Sequence, residues 1–217
     1  MPQLTADQIA AIRTNAENIA DANRKKVVLL ALDLEGNDQV TWQGGGNLEN
    51  FLSNSKSNRT PKNGVYISLV CWLWPIYVAW RCKVAKKEHL NKYRMTQQAA
   101  IGTANLLHQP GVMTFGGRDE SAMGAAAFYQ AAISSPGLGV PGDIVFYYRS
   151  GYEQPCHIAI QVSTTQVSSL WTVPRDANGI DFMWPQVVAS TDLATEIRLG
   201  LGGGGTVDTR HRQPPWA

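Results

Sequence analysis

Two residues of this chain carry the chemistry that the rest must organise. Cys71 lies in Asn63-Gly64-Val65-Tyr66-Ile67-Ser68-Leu69-Val70-Cys71-Trp72-Leu73-Trp74-Pro75, where an apolar run delivers a thiol to a predicted helix start. His157 lies in Cys156-His157-Ile158-Ala159-Ile160-Gln161-Val162, which alternates with period two. A cysteine and a histidine together can perform nucleophilic acyl transfer: the imidazole takes the thiol proton and the thiolate attacks a carbonyl carbon. Each residue also has a plainer reading. Free cysteine is among the most buried residue types, and a single strand histidine is more often surface than site.

The elements around them decide whether the pair can form. Pro75 lacks an N–H and is tolerated only in the first turn of a helix, which puts the helix N-terminus at about Cys71 to Trp72. Unpaired N–H groups and the positive end of the helix dipole at that point favour a thiolate. On the strand, Ile158, Ile160 and Val162 share one face while His157, Ala159 and Gln161 share the other. The small Ala159 leaves room for a helix bearing the nucleophile on the His157 side, and Cys156 points away, toward the core.

Residues 5–35 read as a packing helix with Thr5 as its N-cap and Ile9, Ile12, Ile19, Val27, Leu30 and Leu34 at turn-multiple spacing. A glycine-rich turn at Gly44-Gly45-Gly46 and a polar loop over 54–64 follow; no Lys-Ser/Thr comes after the glycines, so they are not a phosphate cradle. Further helices are predicted over 88–107 and 119–133, the latter stopped by Ser134-Ser135-Pro136-Gly137. From Gly142 the texture is β: 143–148, 156–162, 166–172 and 195–201 read as strands. Helices first and antiparallel strands afterwards give an α+β class. The expected organisation is a single hydrolase-like domain over 1–205, with a helical extension at about 1–60, and a flexible tail over 206–217.

Composition narrows the partners. A formal net charge of +2, with no Lys/Arg cluster interleaved with aromatics, gives no case for nucleic acid. Three cysteines without scaffold spacing argue against a disulfide framework and for synthesis in a reducing compartment, and no zinc-type spacing occurs, so neither metal nor cofactor is expected. The N-terminus lacks a signal-peptide pattern, and the apolar stretch 65–80 is broken by Pro75 and shorter than the roughly 20 residues a bilayer span needs.

A cysteine at a helix start, then Pro141-Gly142-Asp143-Ile144-Val145-Phe146, then His157-Ile158-Ala159-Ile160, resembles the NlpC/P60 superfamily of papain-like cysteine hydrolases. The likeness covers roughly residues 61–175 and keeps the order Cys before His. It departs from the family where Val70 and Trp72 flank the cysteine in place of Asp/Asn and Ser-Gly. The resemblance implies a papain-like sheet with Cys71 as nucleophile, His157 as base and, about a dozen positions on, Ser169 in the place of the residue that orients the histidine, with Ser168 or Gln161 as alternatives. The Cys71 N–H is the expected oxyanion donor, joined by Tyr66 or Gln43. Trp42, Trp72, Trp74, Trp171 and Trp184 either line a groove or fill the core. The resemblance further implies an amide substrate, most commonly peptidoglycan stem peptides. Without a signal peptide or wall-binding repeat the chain looks like a type VI secretion effector, made in the cytoplasm and delivered to a target periplasm, with an immunity protein and a secretion carrier as partners. The alternatives are a cysteine protease, deamidase or acyltransferase acting on a cytosolic protein, and a catalytically inactive binding module.

Overall fold

The computed structural model describes residues 4–37, 40–42, 67–69, 71–86, 88–93, 95, 137–150, 155–170, 184–200 and 205–217. The glycine-rich turn at 44–46, the polar loop 54–64, Gln43, Tyr66, Trp171, the part from 96 on of the helix predicted over 88–107, and the helix predicted over 119–133 lie outside them.

Helix α1 (Ala6–Ala16) opens with a capping box. The Thr5 hydroxyl accepts from the Gln8 N–H at 3.3 Å, and the Gln8 side chain accepts from the Thr5 N–H at 2.8 Å. The helix expected to run through 35 is two helices. Asp21 starts α2 (Ala22–Asp33) by accepting from the N–H groups of Asn23 (2.9 Å) and Arg24 (2.8 Å), and a side chain spent on capping ends any continuation from α1. Short strands β1 (Val40–Trp42) and β2 (Ile67–Leu69) pair in parallel. A 3-10 turn, Cys71–Leu73, then leads into α3 (Trp74–Arg81), with Pro75 in its first turn as its missing N–H requires. Residues 88–93 form one more helical stretch, at whose start the His89 ring accepts from the Lys86 N–H.

The frame of the molecule is a five-stranded antiparallel sheet of β3 (Ile144–Arg149), β4 (Pro155–Gln161), β5 (Gln166–Ser169), β6 (Gln186–Ala189) and β7 (Val207–Arg212), in the order β6-β5-β4-β3-β7. The α+β class therefore holds. Its two faces bury different layers. Ile144, Phe146, Tyr148, Ile158 and Ile160 join one apolar cluster with Val27, Val28 and Ala31 of α2 and Trp74, Ile76 and Tyr77 of α3. Val145, Tyr147, Ala159, Val167 and Val188 pack with Leu193 and Ile197 of helix α4 (Ser190–Gly200).

Three expectations change here. Residues 195–201 are not a strand: the buried side chains Leu193 and Ile197 are four apart, one helical turn, and 190–200 coils over the sheet. Residues 206–217 are not a flexible tail. Strand β7 pairs with β3 over all six residues Ile144–Arg149, Trp216 is buried, and the Trp216 carbonyl accepts from the Asn23 side chain at 2.8 Å. Nor are α1 and α2 an extension, since their apolar residues belong to the same cluster as the sheet.

The Gly142-Asp143 pair fixes the entry to β3. Gly142 has φ of 91°, and a Cβ there would come within 2.8 Å of the Arg24 side chain. Asp143, fully buried, meets the Arg24 guanidinium at 2.7 Å and accepts from the N–H groups of Gly139 (2.9 Å) and Val140 (3.1 Å). This part of the Gly-Asp-hydrophobic motif thus holds α2 to the sheet and stands apart from the chemistry. The outer flank of β6 is met by the end of α2: the Gly36 N–H donates to the Pro185 carbonyl at 2.9 Å, and the Glu35 carboxylate accepts from the Val187 N–H. Burial pushes Glu35 up to about 7.

Candidate functional site

Cys71 begins the 3-10 turn and is 2 % exposed. Its place beside β4 follows from the ladder. The Gln161 N–H bonds the Asp143 carbonyl on the β3 side, whereas the Val162 N–H bonds the Gln166 carbonyl on the β5 side, so the even-numbered amides of β4 face β5. Pairing of β4 with β5 covers Ile160↔Ser168 and Gln161↔Val167 and stops there. The N–H of the next even amide, Ile158, faces the Cys71 thiol and pulls its pKa down. The thiol thus lies where the two strands part, one residue along from His157.

The electrostatics reverse one expectation. Burial pushes the Cys71 thiol up to about 12, further than the backbone N–H groups of Ile158, Trp72 and Cys71 itself pull it down, and the nearby Cys156 adds to the rise. The helix start does supply donors, as anticipated, but desolvation is the larger effect and the group rests as a thiol. His157 is 1 % exposed, and burial lowers it to about 3, so it rests as neutral imidazole.

His157 projects on the Tyr147 side of the sheet, with the two ring centroids 5.7 Å apart. Its Nε2 lies 2.7 Å from the Ser169 hydroxyl, a buried bond between residues twelve apart in the chain. The predicted partner of the histidine is therefore its hydrogen-bond partner. Gln186 lies directly across the next strand pair from Ser169.

No protein-family model, curated protein or solved structure matches this chain.

Other expected site residues fare differently. Gln161 does not orient the histidine: its amide turns into the β4–β5 turn and donates to the Ser163 carbonyl. Ser168 is ruled out as the orienter by register, because it pairs with Ile160 and with Val187, both of the α3-side cluster. The space beside Ala159 is filled by α4 and not by the nucleophile's helix. Helix α3 packs on the Ile158 and Ile160 side, and Cys71 reaches β4 along the line of its amides. Trp72 is half-buried against the main cluster, and Trp74 is wholly inside it as a core residue. Cys156 sits where the β3–β4 register shifts, half-buried; it donates to the Tyr147 carbonyl at 3.2 Å and packs at the edge of the α4-side cluster, not on the opposite face. Tyr66 and Gln43 lie outside the described residues.

Sequence reasoning missed Gln186, a residue of a four-residue strand that reads as ordinary apolar β apart from this one amide. No strand is predicted over 186–189, so nothing local marks Gln186 as buried. Among the described residues no group of three or more His, Cys, Asp or Glu could hold a metal ion, and no helix is long and apolar enough to cross a membrane.

Proposed function

We propose that this chain is a cysteine-dependent amide hydrolase of the NlpC/P60 type, in which Cys71 is the nucleophile, His157 the base and Ser169 the residue that orients the imidazole. The observation that carries this reading is the buried 2.7 Å bond from His157 to Ser169, made one residue from the amide that faces the Cys71 thiol. In the reaction His157 accepts the Cys71 proton, the thiolate adds to the substrate carbonyl, and N–H groups at the start of the 3-10 turn receive the oxyanion. The imidazolium then protonates the departing amine, and water releases the acid from the thioester. The substrate we assign is the peptide stem of bacterial peptidoglycan, attacked by a protein delivered through a specialised secretion apparatus and neutralised in its producer by an immunity protein.

Burial opposes the first step, since it raises the acid and lowers the base. The closed site is therefore at rest, and turnover requires substrate or water to bring polar groups to the pair. The same burial supports a second reading, a catalytically silent binding module in which the bond between His157 and Ser169 serves only to satisfy buried polar groups.

Expression of wild type, Cys71→Ala and His157→Ala in bacteria, each with and without a periplasmic signal, separates these readings. Lysis that needs the signal, Cys71 and His157 together is the expected result. Cysteine-dependent harm without the signal would move the substrate to a cytosolic protein. Equal behaviour of wild type and Cys71→Ala in both compartments would overturn the catalytic reading.

A further inference from the structure

His157, Ser169 and Gln186 stand on three neighbouring strands, β4, β5 and β6. Ser169 and Gln186 are directly opposed across β5 and β6, and opposed residues of an antiparallel pair project on the same face with their Cβ atoms about 5 Å apart. That face is the one shared by His157, Tyr147 and Val188. Gln186 is 4 % exposed, and neither its amide oxygen nor its amide nitrogen has a hydrogen-bond partner among the described residues. An amide so placed is costly to bury, and buried polar groups left without partners call for a particular explanation. Here the nearest polar group by register is the hydroxyl already bonded to His157.

We infer that Gln186 is a positioning residue: its amide, unpartnered as it stands, reaches the Ser169 hydroxyl by a side-chain rotation, accepts its proton and thereby sets the tautomer of His157. A serine hydroxyl has one proton and two lone pairs, so it can either donate to an imidazole nitrogen or accept from it. If Ser169 gives its proton to Nε2, the imidazole carries its own proton on Nδ1 and has no lone pair left there to receive one from a thiol. An acceptor on the far side of Ser169 removes that choice. The hydroxyl proton turns to Gln186, Nε2–H donates to the Ser169 oxygen, and Nδ1 is left as the base. The row passes no proton along itself; it fixes direction. An amide in line with a hydroxyl compensates for the weakness of serine as an orienter, the point at which this chain departs most from a carboxylate- or amide-assisted histidine.

The inference rests on the hydrolase reading for its purpose but not for its test. The full chain, labelled with 15N in its histidine rings, reports the tautomer of each imidazole through two- and three-bond proton–nitrogen correlations, and the His157 signals are assigned by their loss in His157→Ala. Wild type is expected in the Nε2–H form. Gln186→Met, which keeps the length and removes the acceptor, is expected to lower the ratio of Nε2–H to Nδ1–H at least tenfold, and Ser169→Ala to do the same. Gln186→Glu keeps an acceptor at that length and is expected to retain the Nε2–H form, which provides a reading if the methionine variant does not fold. An Nδ1–H histidine in wild type, an unchanged ratio in Gln186→Met, or loss of the Nε2–H form in Gln186→Glu would overturn the assignment. The lysis experiment is independent of these results. A tautomer that follows Gln186 in a protein whose Cys71→Ala form behaves as wild type would leave Gln186 in its role and dismiss the hydrolase, whereas Cys71-dependent lysis with an unchanged tautomer would do the reverse.

Discussion

The two faces of the sheet bury comparable strands in different company. Toward α3 the side chains of β3 and β4 are Ile144, Phe146, Ile158 and Ile160, and they meet Trp74, Ile76 and the apolar stripe of α2. Toward α4 the cluster is smaller, with Val145, Ala159, Val167 and Val188 under Leu193 and Ile197, and it tolerates a hydroxyl, an imidazole and an amide in the same layer. The first face buries the Ser168 hydroxyl but rests mainly on dispersion and apolar transfer, whereas the second gives up more of that gain to hold polar groups out of water. Polar residues kept at such a cost mark where a fold has been shaped for something besides stability.

The largest expected effect lies on the α3 side. Ile158→Ala should lower the unfolding free energy by about 3 to 4 kcal/mol in urea titration, because the cavity opens between the sheet and two helices. A result near 1 kcal/mol would erase the contrast between the faces.

Acid should single out the α4 side. The His157 pKa is lowered from 6.5 to about 3, so the folded protein disfavours the proton that the unfolded chain binds. Its contribution is whole above pH 6.5 and is lost as pH falls toward 3. Glu35 works the other way. With its pKa raised from 4.5 to about 7, its contribution is whole below pH 4.5 and lost as pH rises through 7. The two oppose each other between about pH 4.5 and 6.5, where wild-type stability should be nearly flat. In Glu35→Gln, chemical denaturation across that window should show stability falling steadily with acid; a flat profile there would contradict the assignment to His157.

Smaller again is Tyr147→Phe, which deletes the 2.9 Å bond between the Tyr147 and Ser190 hydroxyls at the start of α4 and should cost about 1 to 2 kcal/mol by thermal unfolding. The smallest change belongs to Gln186→Met. Exchange of an unsatisfied amide for an apolar group of similar length should leave stability within about 1 kcal/mol of wild type, in either direction. A loss of 3 kcal/mol would make Gln186 part of what holds the face together.

Much of the positioning was legible in the sequence because it depends on local rules. Pro75 dictated where the helix after Cys71 starts, and the alternation in 156–162 gave the strand and the side on which His157 emerges. The spacing of Ser169 was supplied by a family likeness, and the bond at 2.7 Å agrees with it. What failed depends on neighbours that are distant in the chain. Thr195, Ile197 and Leu199 alternate as a strand would, yet α4 is selected by the fit of Leu193 and Ile197 to the sheet. Val207 to Arg212 offers almost no apolar pattern, since an edge strand needs only backbone partners. The thiolate expectation failed for a related reason: helix-start donors can be read from sequence, but the depth of burial that outweighs them cannot.

Strand β7 also has a protective role. Beneath it lies Ile144-Val145-Phe146-Tyr147-Tyr148, five uncharged, β-prone residues whose outward amides and carbonyls would otherwise form an open edge. Such a segment is what recruits other chains into cross-β aggregates. The strand that covers it carries Asp208, Arg210, His211 and Arg212, with the Arg210 guanidinium resting 4.1 Å from the centre of the Tyr148 ring. Charge at the rim discourages further strand addition. The chain therefore remains vulnerable to self-association during synthesis until residues 207–212 have been made and have found β3.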